Sequence, residues 1–248
     1  MVDVSLIICA RNEESQIAAC LSAAIENSHG RFKEIIVVDN ASTDQTPAIA
    51  RAFQGVRVVS EPRKGLTYAR QCGFENAGGD ILAYIDADTR LPPGWLDSVE
   101  EIFEARGDVV SLSGSARYFD ASPWERFLLG LGWWIAAPPA YWCAGYMVYG
   151  AHFAVRRSAL ETIGGFNTAI DFYGEDTELA RRLARTGKTL FRMRFFIHTS
   201  ARRFHKEGVL RTCFLYAVNF LWPAVFGQPF STTHLDVRPQ TPAKSPCR

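Results

Sequence analysis

None of the six cysteines stands in a CxxC pair or at zinc-like spacing. Cys9, Cys20, Cys72, Cys143, Cys213 and Cys247 are scattered through 248 residues. A structural zinc site is therefore not expected. Several of the six lie in apolar segments, where a free thiol behaves as a small hydrophobe, so reduced thiols in a cytoplasmic protein are the expectation. Net charge is nearly absent too, at +1 by formal count. The basic stripe of a general nucleic-acid binder is missing, and no nucleic-acid partner is expected. The opening MVDVSLIICARNEE has no basic n-region and reaches charge at once, against a secretory signal. There is no internal repeat and no convincing Ser–His–Asp or Cys–His set. Low-complexity sequence is confined to RPQTPAKSPCR (Arg238–Arg248), whose three prolines and missing apolar stripe predict a disordered tail.

What is present is alternation. Val4 to Cys9 is a β-branched run, followed by Ile17, Leu21 and Ile25 at helical spacing. EIIVVD (34–39) is a fully apolar strand of the kind found in parallel sheets covered on both faces. Thr43 or Asp44 can cap the next helix, with Pro47 in its first turn. VRVVSE, GLTYARQCGFENA and DILAYID continue the series as strand, helix and strand. Strands alternating with helices predict an α/β fold with a mostly parallel central sheet, and with its ligand site at the carboxyl ends of the strands. The segments that follow three of those strands, ARNEE, DNASTD and DADTR, are short and polar. They fall at one sheet edge, where loops carry function.

Asp86 and Asp88 are the sharpest signal in that group. Two hard oxygen donors at a strand end suit Mg²⁺ or Mn²⁺, which binds one or two protein carboxylates plus substrate phosphates. An ordinary turn also favours aspartate, so the pair draws its meaning from its place among the other loops. A second acidic pair, Glu175 and Asp176, opens the helix GEDTELARRLARTG, with Gly187 as the expected stop. Carboxylates there either complement the helix dipole or supply a general base held at a helix entrance.

In order along the chain, SLIICARNEE, VVDNASTD, RKGLTYARQCGFENAGGDILAYIDADT, GAHFAVRRSALETIGGFN and GEDTELARRL resemble a family 2 glycosyltransferase of the GT-A fold, over roughly Val4 to Arg203. The resemblance implies an inverting, metal-dependent transfer from a nucleotide-sugar, a UDP-sugar above all, to a hydroxyl of a glycan or lipid-linked acceptor. It implies that Ala10, Arg11, Asn12 and Glu13 bind the nucleotide with Asp39 on its base. Arg63, Lys64 and Arg70 would line the nucleotide pocket. Asp88 would be the direct ligand of a divalent Mn²⁺ or Mg²⁺, with Asp86 nearer the ribose or metal-bound water, and Asp176 the catalytic base. Many relatives add a downstream histidine as a metal ligand; His198 and His205 lack convincing flanks and are left out of the metal set.

Phe127 to Val155 contains no Asp, Glu, Lys or Arg. Pro138 and Pro139 are expected to break it, which argues against a membrane span. Trp133, Trp134, Tyr141 and Trp142 could pack in the core, stack on sugar or lie in a lipid interface. Further on, Arg202, Arg203, Lys206 and Arg211 precede an apolar stretch interrupted at Pro223. That stretch either docks on the domain or lies on the cytoplasmic face of a membrane, its cations meeting anionic lipid or a substrate diphosphate. The expected organisation is a glycosyltransferase domain over 1–208, with 1–110 the nucleotide half and 111–208 the acceptor half. The interfacial segment then covers 209–235 and the tail 236–248. The alternatives are a sugar nucleotidyltransferase, which would want a glycine-rich basic loop where ARNEE stands, and a non-catalytic nucleotide-sugar-binding subunit.

Overall fold

The structure is a computed structural model that describes residues 2–170, 174–209, 211, 212, 215 and 218. The expected tail, and all of 209–235 except those few positions, lie outside the described residues. In chain order the first half comprises β1 (Val4–Ala10), α1 (Ile17–Ser28), β2 (Glu34–Asp39), α2 (Thr46–Arg51), β3 (Val56–Ser60), α3 (Leu66–Asn76), β4 (Ile81–Asp86) and β5 (Thr89–Arg90). It continues with α4 (Trp95–Ala105), β6 (Val109–Tyr118), α5 (Pro123–Ala144), β7 (His152–Arg156), α6 (Arg157–Thr162), α7 (Glu175–Leu183), β8 (Lys188–Thr199) and α8 (Arg202–Glu207).

All eight strands join one sheet, in the order β3-β2-β1-β4-β7-β6-β8-β5. The strands β3, β2, β1 and β4 run parallel. Strand β7 is antiparallel to both its neighbours, and β8 is parallel to β6. The apolar strands are buried on both faces, as their unbroken hydrophobicity requires. Leu6, Ile8, Val37 and Ile85 point into a core closed by α1 and α4 through Ile17, Leu21, Trp95 and Val99. Their alternates Ile7, Ile36, Val38, Leu82 and Tyr84 meet Ala69 of α3 and Leu179 and Leu183 of α7. The period of two along each strand thus builds two cores, one on each side of the sheet.

Three local expectations are corrected. First, α5 runs straight through Pro138 and Pro139 instead of breaking there. The prolines leave the carbonyls of Trp134 and Ile135 without their usual partners, but both residues lie on the exposed side of the helix, where water can bond those oxygens. Second, the cap of α2 is displaced: Gln45 occupies the cap position, and Asp44 accepts from Thr46 N at 2.9 Å from one residue further back. Third, α7 ends at Leu183, before Gly187. What Gly187 provides is close approach, since a Cβ there would lie 2.9 Å from the Asp108 carbonyl oxygen.

Strand β6 needs a glycine for the same kind of reason. At the irregularity between Gly114 and Ser115, β8 bulges towards its neighbour. A Cβ on Gly114 would fall 1.6 Å from the carbonyl oxygen of Phe195 and 2.5 Å from that of Arg192. Backbone cannot yield as a flexible side chain does. Gly114→Ala is expected to cost about 3 kcal/mol, the upper end for overpacking. Urea denaturation checks this, and an unchanged midpoint would mean the bulge relaxes freely.

Candidate active site

The sheet brings the polar loops together as the strand pattern requires. In register, Ala10 pairs with Asp39 and Cys9 with Asp86, so the loops after β1, β2 and β4 leave from one edge. The first two loops are sewn to each other. Asn12 N donates to Ser42 Oγ at 3.1 Å, Asn12 Oδ1 accepts from Thr43 N at 2.8 Å, and Glu13 N donates to Thr46 Oγ1 at 2.7 Å. Asp39 is buried at the end of β2, and its Oδ1 accepts from Ser42 N at 3.2 Å. Arg11 belongs to the same loop, and its Nε is buried with no hydrogen bond among the described residues. Arg63 and Lys64 are exposed. Arg63 grips Glu61 through Nε (2.9 Å) and Nη2 (2.7 Å) and lies over the ring of Tyr68.

Asp86 closes β4 and Asp88 follows in the turn that leads into β5, which pairs with the end of β8. Strand β8 delivers α8 to the same place, and with it a residue whose role the sequence did not reveal. Arg202 Nη1 donates to Glu13 Oε2 at 2.8 Å, Nη2 pairs with the other Glu13 oxygen, and Nη2 also lies 3.0 Å from Asp88 Oδ2. The chain thus places a guanidinium against the Asp-x-Asp turn and leaves no exposed headgroup contact for Arg202 itself. Arg203 pairs with Glu207 at 2.9 Å. His198 is half-buried at the end of β8, while His205 is 3.5 Å from Glu125. Among the described residues, no group of three or more His, Cys, Asp and Glu side chains is gathered to hold a metal.

The second acidic pair sits on Arg70. This arginine is 2 % exposed and is the largest fully buried side chain among the described residues, although its sequence context marked it as pocket-lining. Its Nη2 donates to the Gly150 carbonyl at 2.8 Å and its Nη1 lies 3.4 Å from Glu175 Oε1. Gly150 N in turn donates to Asp176 Oδ2 at 3.3 Å, and Thr177 N to Asp176 Oδ1 at 2.8 Å. The glycine at 150 lets the cluster close in, since a Cβ there would stand 2.9 Å from Arg70 Nη2 and 3.3 Å from Glu175 Oε1. Gly174, at φ 84° immediately before α7, turns the chain so that both acids enter this cluster. Burial pushes the carboxyl pKa of Glu175 up, with the Asp176 charge adding to it and Arg70 opposing. Burial likewise raises Asp176, against Arg70 and the two backbone donors. A base whose pKa moves towards neutrality is better matched to taking a proton at the working pH.

Three further titratable groups are structural. Burial drives the thiols of Cys9 and Cys20 up to about 12, which makes them unreactive apolar packing. His152 is pushed down to about 4 by burial and stays neutral. Its Nδ1 accepts from Trp95 Nε1 at 3.3 Å and its Nε2 donates to Ser115 O at 2.9 Å.

Removing the cation beneath the acids gives a signed prediction. Arg70→Met leaves Glu175 and Asp176 buried without their counter-charge, expected to cost roughly 3–5 kcal/mol near neutral pH. Both carboxyls are already raised in the folded protein, so the unfolded chain loses its protons first. Stability therefore falls as pH climbs from the ordinary carboxylate range through the raised values. The variant loses the term that opposes the rise, so its deficit against wild type should be larger at pH 8 than at pH 5. Urea melts at both values measure it, and equal deficits would make Arg70 a packing residue only.

With this geometry in view, comparison with known proteins identifies the family. Residues 5–164 match the profile of Glycosyl transferase family 2. The probable glycosyltransferase YdaM of Bacillus subtilis is 30% identical over 211 residues, covering 78% of this chain and 48% of that protein. Glycosyltransferase AglE of Haloferax volcanii is 36% identical over 100 residues, 38% of this chain and 33% of that protein. The chain spans a third to a half of these curated relatives. Among solved structures, the fold is shared with the mannosyltransferase PcManGT of Pyrobaculum calidifontis in complex with GDP-Man and Mn²⁺. The TM-score is 0.67 at 22% identity, covering 91% of this chain and 66% of that one. Glucosyl-3-phosphoglycerate synthase of Mycobacterium tuberculosis, in complex with Mn²⁺, UDP and phosphoglyceric acid, gives 0.64 at 21% identity, covering 90% and 79%. The central sheet flanked by helices is the GT-A arrangement, and the chain belongs to glycosyl transferase family 2.

Proposed function

We propose that the protein is an inverting, metal-dependent glycosyltransferase that moves a sugar from a UDP-sugar to a hydroxyl of a glycan or lipid-linked acceptor. The observation that carries this reading is the convergence of two acidic groups at one sheet edge: Asp86–Asp88 after β4, and Asp176 at the entrance to α7. They have different surroundings. The first faces Arg202 and the loop after β1; the second is half-buried over Arg70 with a raised pKa. One group fits cation binding and the other proton transfer. The names of the relatives and the nucleotide–Mn²⁺ complexes of the two structural neighbours support the same chemistry.

The residues present fit a divalent cation. Glu13, Asp86 and Asp88 with Arg202 leave two net negative charges, which one Mg²⁺ or Mn²⁺ balances. The ion accepts two carboxylates and takes further oxygens from substrate phosphates. When bound, it would offset the negative charge that builds on the departing nucleoside diphosphate. Asp88 and Asp86 would hold that ion. Ala10, Arg11, Asn12 and Glu13 cradle the nucleotide, with the unpartnered Arg11 Nε available to it, and Asp39 receives the base. Arg63 and Lys64 stand at the rim. On the opposite face of the sugar, Asp176 takes the proton from the acceptor hydroxyl as it attacks, and Arg70 fixes that carboxylate through Gly150. Attack from the face opposite the leaving group gives inversion. Residues 1–110 then serve the nucleotide and 111–208 the acceptor, in the cytoplasm and peripherally at a membrane.

Two substitutions separate binding from chemistry. Asp88→Asn keeps the size of the side chain but removes the charge that holds the cation. UDP binding by calorimetry should lose its Mn²⁺ dependence, as wild type does in EDTA; a variant still responsive to Mn²⁺ refutes the metal assignment. For Asp176→Asn, donor affinity should stay near normal while turnover falls about a hundredfold or more, the usual scale for a lost general base. A donor screen with single nucleotide-sugars and Mn²⁺ provides the assay. Donor binding with no turnover for any acceptor would favour a non-catalytic nucleotide-sugar-binding subunit.

A further inference from the structure

Every large hydrophobic residue that stands exposed among the described residues lies on one helix, α5. Its outward side chains Trp124, Phe127, Leu131, Trp134, Ile135 and Trp142 recur at intervals of three, four and seven residues. At 3.6 residues per turn they fall within about 120° of the circumference, one continuous stripe. Trp134 is 62 % exposed, Ile135 65 % and Trp142 84 %. The opposite side of the helix is already satisfied. Leu129 and Ala137 are buried, Trp133 packs on Tyr149 at 4.9 Å, and Tyr141 donates to the Thr189 carbonyl at 2.8 Å. A surface helix of a globular protein carries polar residues outside. Here the outer face is as apolar as the inner one, over 22 residues or about 33 Å.

We infer that α5 docks this protein on an anionic lipid surface, lying in the interface with its outer stripe submerged. Charge and composition favour that occupant over a second protein. The stripe carries three tryptophans, the side chain enriched where hydrocarbon meets headgroups. No Asp, Glu, Lys or Arg occurs on α5 after Arg126. Exposed cations stand where the helix begins: Arg126 on α5 itself and Lys206 on α8, which reaches that end through His205 and Glu125, with exposed Arg211 following α8 in sequence. The three acids close by are engaged, Glu125 in the helix cap and with His205, Asp120 with Ser200 and Ala201, and Glu207 with Arg203. Basic flanks beside an apolar helix suit anionic headgroups. No helix among the described residues is long and apolar enough to cross a membrane, so α5 would rest on the bilayer.

The position of α5 ties docking to the chemistry. Six residues after its last turn the chain reaches Gly150, whose N–H donates to Asp176 and whose carbonyl accepts from Arg70. A lipid surface under α5 would therefore lie beside the proposed base, which narrows the acceptor to a lipid-linked one. That last step rests on the glycosyltransferase reading; the docking itself does not.

Vesicle binding tests it with the full chain, in the absence of nucleotide and metal. Wild type should co-sediment with phosphatidylcholine vesicles containing phosphatidylglycerol and less with phosphatidylcholine alone, and salt should weaken the attachment. Brominated acyl chains should quench its tryptophan fluorescence. The triple variant Leu131→Gln, Trp134→Gln, Ile135→Gln changes only outward positions, so it should keep the wild-type melting temperature and UDP affinity. Its affinity for the anionic vesicles should fall at least about tenfold. Failure of the intact chain to bind, or equal binding by the variant, overturns the inference. So does a dimer that the variant dissociates in the absence of any vesicle binding, since the stripe would then be covered by a second copy. Vesicle binding without transferase activity would refute the function reading and leave the docking intact.

Discussion

Burying a guanidinium without compensation costs several kcal/mol, and Arg70 avoids that cost by drawing the rest of the site around itself. It arises from α3, on the nucleotide side of the chain, and bonds the loop before β7 through the Gly150 carbonyl. Its charge is shared among Glu175, Asp86 and Asp176. The hydroxyl of Tyr84 on β4 reaches back to its backbone carbonyl at 3.2 Å. Elements separated by about a hundred residues of sequence are therefore held by one cation. The acids need it because burial disfavours their charge; it needs them for the same reason. Removing either party leaves the other in a low-dielectric interior with backbone hydrogen bonds but without its main counter-charge.

A second cation does comparable work at the surface of the same edge. Arg202 bridges Glu13 and Asp88, which joins the first loop of the chain to the turn after β4 by way of α8. The two arginines differ in depth. Arg70 is sealed beneath the acids, whereas Arg202 retains access to solvent and can respond to whatever occupies the cleft. Such a division is what the proposed roles would require, a fixed base at Asp176 and a cation at Asp86 and Asp88.

Much of this was legible in the sequence for identifiable reasons. Strands β1, β2 and β4 announce themselves because burial on both faces demands unbroken apolar runs, and their register then forces Ala10, Asp39 and Asp86 to one edge. The helix opening with Glu175 and Asp176 was legible because an acidic pair followed by a leucine stripe marks a helix start. Arg70 was found, but its depth was not. Nothing in TYARQ distinguishes a guanidinium facing solvent from one facing Gly150, since that depends on contacts across some 80 residues. For Arg202 the sequence left anionic lipid and a substrate diphosphate both open, and its pairing with Glu13, 189 positions away, was not legible. The continuity of α5 through two prolines was also hidden, because local propensity penalises proline and only the exposed placement of the freed carbonyls makes it tolerable.

The reversed direction of β7 has a consequence for how such a protein can change. Strand β6 ends, and β7 begins, at the same edge from which β1, β2 and β4 send out their loops. Everything from Phe119 to Ala151 is therefore an excursion that leaves and re-enters the sheet on one side, with no strand crossed on the way. It can be lengthened, shortened or exchanged while the parallel half keeps its register. Its fixed points are few: Asp120 with Ser200 and Ala201 at the start, Tyr141 on the Thr189 carbonyl, and Tyr149 and Gly150 at the returning end, on Ser113 and Arg70. The architecture behaves as a socket with a few keyed pins: the loops after β1, β2 and β4 keep their register while the excursion facing them can be re-cut between its anchors.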